Sequence, residues 1–503
     1  MEYFKNLING EWKDSKSGKF TENRNPANWN DDLIGYFPAS TVEDVEEAIK
    51  AAKTALKKWK LVPAPKRGDV LKVVGDIMLE RKDEISHEMT REMGKVFAET
   101  KGDTQEGIDT AYYAASEGRR LFGLNAPSEL PNKMNLSFRV PIGVAGIITP
   151  WNFPMAIPTW KIFPALVCGN TVVFKPAELT PKTANTFVKI VEEAMHIVLG
   201  KDYIPGVINI VHGSGKVVGE AFLASKDIDL ISFTGSTPVG KRINEVGGRD
   251  LKRISLELGG KNAQIVMDDA NLDLALDAVL WGAFGTTGQR CTATSRLILH
   301  KNIHDKFLEM LIKRVNKLKL GYGNDKGIDV GPCVCESQRE TVNDYVQIGL
   351  KEDKATLIAG GDYAKEGSLA KGWFYKPTIF KDVTPEMRIA KEEIFGPVLA
   401  VLKCSSLEEG IEILNNTEYG LSSSIFTNNV NDAFVAVRDI QAGITYINGA
   451  TIGAEAHMPF GGVKATGNGH REGGWMVYDF YTEWKAVYID YSGKLQRAQI
   501  DNY

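Results

Sequence analysis

Cysteine is scarce in this chain, with five residues (Cys168, Cys291, Cys333, Cys335 and Cys404) in a length of 503. So sparse and odd a set argues against a disulfide framework and for a reducing compartment. Cys333 and Cys335 stand as C-x-C without the second pair that a zinc site needs, so both read as structural and no metal is expected. Excess positive charge is missing as well. A formal net charge of −4 gives no electrostatic case for nucleic acid or an anionic membrane as partner. Lys313, Arg314 and Lys317 interleave with Leu311, Ile312, Val315 and Leu318, the pattern of a helix with one solvated face. Apolar runs stay short of the roughly 18 residues that a membrane span requires. The opening Met1-Glu2-Tyr3-Phe4-Lys5-Asn6 has no basic-then-apolar signal pattern. A cytoplasmic protein is expected, and neither internal repeats nor low-complexity segments are found.

What is present is an ordinary globular composition, 43% hydrophobic and 25% charged, long enough for two or three domains. Residues 7–36 read as short strands and turns, with Asn9-Gly10 the clearest hairpin signal. Thr41 with Asp44 three residues on announces a helix whose face carries Val45, Ile49, Ala52, Leu56 and Trp59. Helical pattern continues over roughly 66–122, with polar breaks near Lys82-Asp83 and Gly102-Asp103. From about 140, short β-branched runs (Val144–Ile148, Thr171–Phe174, Val207–Val211, Ile228–Phe233) alternate with amphipathic stretches such as 182–199. That alternation predicts an α/β fold with a doubly wound parallel sheet, which places ligands at the carboxyl ends of its strands. A second alternating region runs from about 260 to 450, with helical patterns at 270–283 and 303–318 and strands at Leu297–His300, Val398–Leu402 and Ile444–Ile447. The aromatic tail from 475, like residues 136–142, is expected to form an exposed strand that pairs with another chain.

Several strand ends carry residues suited to chemistry. In Gly288-Gln289-Arg290-Cys291-Thr292, one thiol lies beside a cation that favours thiolate, although a buried cysteine next to a surface arginine has the same local sequence. Phe233-Thr234-Gly235-Ser236-Thr237 closes a strand and opens a helix, where Gly235 and Ser236 suit a pyrophosphate, and so would a plain turn. It is neither a P-loop nor G-x-G-x-x-G. Lys175 and Glu178 offer a donor and an acceptor to ribose hydroxyls, or simply form an exposed turn closed by Pro176. Glu257, ahead of Gly259-Gly260, is either solvated or a buried base of raised pKa. Asn152, on Thr149-Pro150-Trp151-Asn152-Phe153-Pro154, is a neutral donor for an oxyanion, or a turn residue.

Taken together and in order, T-P-W-N-F-P, K-P-A-E, F-T-G-S-T, E-L-G-G-K-N, G-Q-R-C, E-E-I-F-G-P-V (392–398) and P-F-G-G-V-K (459–464) resemble the aldehyde dehydrogenase superfamily over nearly the whole chain. The resemblance implies NAD(P)-dependent oxidation of an aldehyde to a carboxylate. By it, Cys291 attacks the aldehyde to give a thiohemiacetal, and Asn152 with the cysteine's own N–H holds the oxyanion. Hydride then passes to nicotinamide, and Glu257 activates the water that hydrolyses the thioester. Lys161 and Glu472 correspond to a proton relay. Thr149, Trp151, Lys175, Glu178, Gly235, Ser236, Glu393 and Phe395 correspond to the cofactor site, with Glu393 on the nicotinamide ribose. Phe460 corresponds to the substrate tunnel, although a core aromatic is nearly as consistent with its sequence context. The implied domains are a Rossmann-like cofactor domain (1–123 and 142–258), an α/β catalytic domain (259–473) and a small β oligomerisation element (124–141 and 474–503). A homodimer or homotetramer is implied, with Glu483 at an interface position.

The substrate is less fixed. Arg290 either pairs with a structural carboxylate or receives the distal carboxylate of a semialdehyde, for which a guanidinium is well shaped. Gln105-Glu106, Gln289-Arg290-Cys291 and Gly453-Ala454-Glu455 resemble aminoadipate semialdehyde dehydrogenases, in which Glu106 would receive an amine. Cys291-Thr292-Ala293-Thr294-Ser295-Arg296 and Tyr491-Ser492-Gly493-Lys494-Leu495-Gln496-Arg497 resemble 2-oxoglutarate semialdehyde (2,5-dioxopentanoate) dehydrogenases, the preferred reading. A broad aldehyde range is a further alternative. The acidic Glu178 favours NAD, with NADP still open. Two other classes compete. A cysteine hydrolase would want a histidine that the motif set lacks. A binding or structural protein on the same fold is disfavoured by the intact Cys291, Glu257 and Asn152.

Overall fold

The computed structural model describes residues 2–501. Two seven-stranded sheets and one three-stranded sheet organise the chain. The first sheet runs in the order Arg253–Glu257, Leu230–Thr234, Val144–Ile148, Thr171–Lys175, Ile208–Ile210, Asn6–Ile8, Glu11–Lys13. Its first five strands are parallel; the last two form an antiparallel hairpin. Both turn residues of that hairpin, Asn9 (φ 57°) and Gly10 (φ 76°), take left-handed backbone, as the Asn-Gly signal predicts. Strand Val144–Ile148 is wholly buried, consistent with its unbroken apolar run. The chain leaves it for Thr171–Lys175 on one side and returns to place Leu230–Thr234 on the other. The order therefore reverses there, and a crevice opens beyond the carboxyl ends of these strands. Thr149-Pro150-Trp151-Asn152 and Gly235-Ser236 follow directly.

The second sheet has the order Thr356–Ala359, Thr378–Lys381, Val398–Cys404, Thr294–His300, Asn262–Val266, Ser422–Phe426, Ile444–Ile447. All its pairings are parallel except the first. Helices Leu272–Phe284 and His304–Val315 pack on it through Val279, Phe307 and Leu311, which are buried. Cys333 lies in the core on the other side, and Cys335 bonds Ser337 Oγ at 3.2 Å at the start of helix Glu336–Lys351. All five cysteines are free thiols.

One sequence expectation needs correction. Helix Val42–Trp59 has the capping box expected from Thr41 and Asp44, but the later helical break lies elsewhere than predicted. Gly102 and Asp103 sit inside helix Phe97–Glu117, and the interruption falls at Gly94, whose left-handed φ of 95° ends helix Lys82–Met93. A glycine terminating a helix outweighs a polar pair within one, and Asp103 is polar because it faces a buried partner rather than solvent. Residues 136–142 and the tail pair with each other within the chain. Lys133–Pro141 runs antiparallel to Thr482–Asp490, and Asn125–Pro127 lies on its far side. Ahead of that strand, Val477, Tyr478, Phe480 and Tyr481 are buried in the core of the first sheet. Glu483 pairs with Arg253 at 2.7 Å within the chain. Among the described residues, no helix is long and apolar enough to cross a membrane and no cluster could hold a metal ion.

Candidate active site

The loop that carries Cys291 is held in an unusual backbone. Thr286 (φ 52°) and Thr287 (φ 58°) are both left-handed, a costly conformation for β-branched residues that must be imposed by surrounding bonds. Thr286 N donates to both carboxylate oxygens of Glu99, at 2.8 and 3.0 Å, and Thr287 Oγ1 donates to Gly331 O at 2.9 Å. The next residue, Gly288 (φ 67°), is pressed against Gly396 O, where a Cβ would have no room. Val334 N donates to Gln289 Oε1 at 2.9 Å, and Asn262 Nδ2 donates to the Cys291 carbonyl at 2.7 Å.

Cys291 lines a cavity of about 780 Å³ together with Glu257, Arg290, Phe153, Trp160 and Phe460. Burial, then the charges of Glu257 and Glu393, push its thiol up to about 12, while the backbone N–H groups of Thr292 and Cys291 act in the opposite direction. This thiol therefore keeps its proton until a base takes it. Glu257 ends strand Arg253–Glu257 with neither carboxylate oxygen hydrogen-bonded. Burial and the charge of Glu472 hold its pKa well above the usual carboxylate range, against Lys161 and Arg471. Lys161 Nζ bonds Glu472 at 2.6 Å and Ser232 Oγ at 2.9 Å, all buried. Asn152 is buried, and its Nδ2 donates to Gln289 O at 3.1 Å, leaving one amide hydrogen uncommitted. The five residues matched to catalysis thus converge from strand ends, one helix and one loop.

Arg290 is bound on one side: Nη2 to Glu99 at 2.9 Å and Nε to Thr286 Oγ1 at 3.0 Å, with Nη1 free of hydrogen bonds among the described residues. Its guanidinium lies 5.2 Å from the Phe153 ring. Glu106 lines the same cavity with Oε1 buried and unpartnered. Burial and Asp103 raise its pKa to about 8, opposed by Arg290 and Lys95. Phe460 packs on Trp160 with centroids 4.7 Å apart.

A second cavity, of about 730 Å³, is lined by Ser236, Thr237, Glu392, Glu393 and Tyr419. Exposed Ser236 starts helix Thr237–Arg249 without a side-chain cap, so the first N–H groups are available to an anion. Glu393 Oε1 accepts from Gly260 N at 3.0 Å. Lys175 Nζ is buried with the Pro176 carbonyl, 2.8 Å away, as its partner, and burial lowers its pKa to about 8 against the exposed Glu178. Thr149 N donates to Lys175 O, tying the two strand-end loops together. Trp151 and Phe395 meet edge to face at 5.4 Å. The open helix N-terminus and the Glu393 carboxylate border this cavity and suit a nicotinamide dinucleotide, whereas Thr149, Trp151, Lys175, Glu178 and Phe395 are not among its lining residues.

Sequence reasoning missed Lys95, Glu99 and Asp103, and the holding role of Asn262. Asn262 closes the E-L-G-G-K-N string, a signal that was available; the other three sit on helical or inter-helical segments with no motif of their own.

The profile of the aldehyde dehydrogenase family matches residues 12–487. The chain is 42% identical over 484 residues to the alpha-ketoglutaric semialdehyde dehydrogenase of Bacillus subtilis, covering 96% of this chain and 97% of that protein. It is 41% identical over 488 residues to the alpha-ketoglutarate semialdehyde dehydrogenase of Haloferax volcanii, covering 97% and 99%. The solved structure of betaine aldehyde dehydrogenase from Staphylococcus aureus, a complex with NAD+, superposes with a TM-score of 0.93 at 33% identity, covering 98% of this chain and 96% of that one. The chain belongs to the aldehyde dehydrogenase family and is an NAD(P)-dependent aldehyde-oxidising enzyme.

Proposed function

We propose that this enzyme oxidises a semialdehyde with a distal carboxylate, 2,5-dioxopentanoate to 2-oxoglutarate, through a thioester on Cys291. The observation that carries the reading is Arg290, which faces the Cys291 cavity with Nη1 uncommitted. A guanidinium there meets a carboxylate in a partly desolvated setting, where charge-assisted bonds are strongest. The two relatives named above, both alpha-ketoglutarate semialdehyde dehydrogenases, support the same substrate class. Aminoadipate semialdehyde is the second reading. It rests on Glu106, whose unpartnered oxygen would meet a substrate amine in the same cavity.

In the proposed mechanism Glu257 takes the Cys291 proton, directly or through water, and the thiolate adds to the aldehyde carbon. The free hydrogen of the Asn152 amide and the Cys291 N–H stabilise the oxyanion. Bound nicotinamide supplies the hydride acceptor. Glu257 releases that first proton outward through Glu472, paired with Lys161, so that it can take a second from the water that attacks the thioester, and the departing Cys291 thiolate is then reprotonated. Residues 1–123 and 142–258 would bind the cofactor through Thr149, Trp151, Lys175, Glu178, Gly235 and Ser236, with Glu393 and Phe395 contributed from 259–473. Glu178 disfavours a 2′-phosphate, so NAD is preferred over NADP. The outer edge of the three-stranded sheet, formed by 124–141 and 474–503, would join subunits of a cytoplasmic dimer or tetramer.

Arg290→Ala tests the substrate claim. KM for 2,5-dioxopentanoate should rise by roughly 10- to 100-fold, the loss of one charged hydrogen-bonded contact of about 1.5–3 kcal/mol, with propanal kinetics unchanged. Equal losses on both substrates would show that Arg290 does not select the carboxylate.

A further inference from the structure

Asn152 supplies the proposed oxyanion donor, yet its single side-chain bond, to the Gln289 carbonyl at 3.1 Å, cannot by itself fix the segment it stands on. That segment, from Asn152 to Ala156, is a string of bends entering helix Ala156–Val167, and the helix has no side-chain cap at Met155. Two buried charges reach its ends instead. Lys95 Nζ donates to the Asn152 carbonyl at 2.9 Å and sits 3.8 Å from the centroid of the Phe153 ring. Ala156 N donates to Asp103 Oδ1 at 2.7 Å, capping the helix from another element. The two charges join each other at 2.6 Å, with both side chains fully buried.

We infer that Lys95 and Asp103 are positioning residues for the oxyanion step, an ion pair that ties down both ends of the Asn152–Ala156 segment and so aims the Asn152 amide. The inference rests on the reading of Asn152 as oxyanion donor. Lys95 itself is fixed by backbone packing: it follows the helix-ending Gly94, and Gly323 lies against its carbonyl, where a Cβ would come within 2.7 Å. Asp103 is carried by helix Phe97–Glu117, one turn before Gly107, which packs under Met155 and Thr159. Both anchors are therefore rigid relative to the segment they hold. A buried pair of this kind costs desolvation and is weak evidence for stability as such, whereas a fixed geometry at a reacting centre has a direct kinetic effect.

The test is a double-mutant cycle on the full-length enzyme with saturating cofactor. Lys95→Met should lower kcat by roughly 10- to 100-fold, the scale of a small misplacement of a reacting group, with KM nearly unchanged. Asn152→Ala should lower kcat by about 10²- to 10³-fold, and adding Lys95→Met to it should cost nothing further. Alkylation of Cys291 by iodoacetamide, which forms no oxyanion, should proceed at the wild-type rate in Lys95→Met. Lys95→Met/Asp103→Asn removes both buried charges but keeps the acceptor for Ala156 N. It should fold with near-native melting and retain the low kcat, so a folding defect in the single variant does not decide the matter. Losses that multiply in the cycle, a wild-type kcat in the neutral double variant, or slowed alkylation would overturn the inference. An Asn152→Ala enzyme with wild-type kcat would instead remove the oxyanion reading, and the positioning role with it.

Discussion

Glu257 and Cys291 are each poorly suited to their proposed roles in isolation, and the pairing resolves this. The thiol is pushed up to about 12 and the carboxyl is held well above its usual range by the same burial, so the thiol keeps its proton until a base removes it. Only the ionised Glu257 can take that proton, and its transfer creates the nucleophile as the aldehyde arrives. A base with a raised pKa is active in its deprotonated form, so kcat should rise from mildly acidic to alkaline pH as Glu257 loses its proton. Glu106 adds a second, opposite dependence. Below about 8 its carboxyl is neutral and leaves Arg290 to the substrate; above that it ionises near Arg290 and competes. KM for carboxylate aldehydes should therefore climb at alkaline pH while KM for propanal stays level. In Glu257→Gln, slow deacylation should leave at most one equivalent of NAD(P)H per site followed by a stalled steady state, read by stopped-flow absorbance. A linear steady state at the wild-type rate would remove Glu257 as the base.

At the scale of elements, the informative parts of the sequence were those whose function is local. A strand that ends and a helix that begins around small and polar residues are visible in the run itself, which is why the switch-point loops at Thr149 and Gly235 were placed correctly. The capping box at Thr41 and the Asn9-Gly10 turn were legible for the same reason. Helix Phe97–Glu117 was legible as helical pattern but not as one unbroken element, because three of its polar residues have partners far along the chain. Glu99 meets Thr286, Asp103 meets Ala156, and Glu106 faces the Cys291 cavity. Periodicity reads an inward polar residue as a break in the helix; only the fold supplies its partner. Likewise the tail's strand propensity was evident, but its pairing with Lys133–Pro141 was not. Glu99→Gln tests how this helix supports the loop of Cys291. Replacing a charged acceptor for Thr286 N and Arg290 should destabilise the fold by about 1.5–3 kcal/mol, seen as a lower urea midpoint. Freed of its buried counter-ion, Arg290 should bind carboxylate aldehydes with lower KM. An unchanged midpoint would mean that the left-handed pair Thr286-Thr287 is imposed by other contacts.

Across the whole molecule, the carboxyl ends of the first sheet and the amino ends of strands Thr294–His300 and Val398–Cys404 in the second flank a shared centre. The first sheet contributes Asn152, Lys175, Gly235 and Glu257; the second contributes the approaches to Cys291 and Glu393. One cavity of about 780 Å³ holds the thiol and Arg290, and another of about 730 Å³ holds Ser236 and Glu393. This separation suits an aldehyde and a dinucleotide entering from different sides and meeting at one sulfur. Family membership follows from the ordered motifs, whereas the proposed substrate preference rests on Arg290, Glu106 and Glu99, brought together by folding. The most direct measurement is kcat/KM from NAD(P)H absorbance on the purified enzyme, using 2,5-dioxopentanoate, aminoadipate semialdehyde, succinate semialdehyde and propanal with each cofactor. The account predicts the highest value for 2,5-dioxopentanoate with NAD, well above propanal. A propanal value equal to or above those of the carboxylate-bearing aldehydes would contradict it.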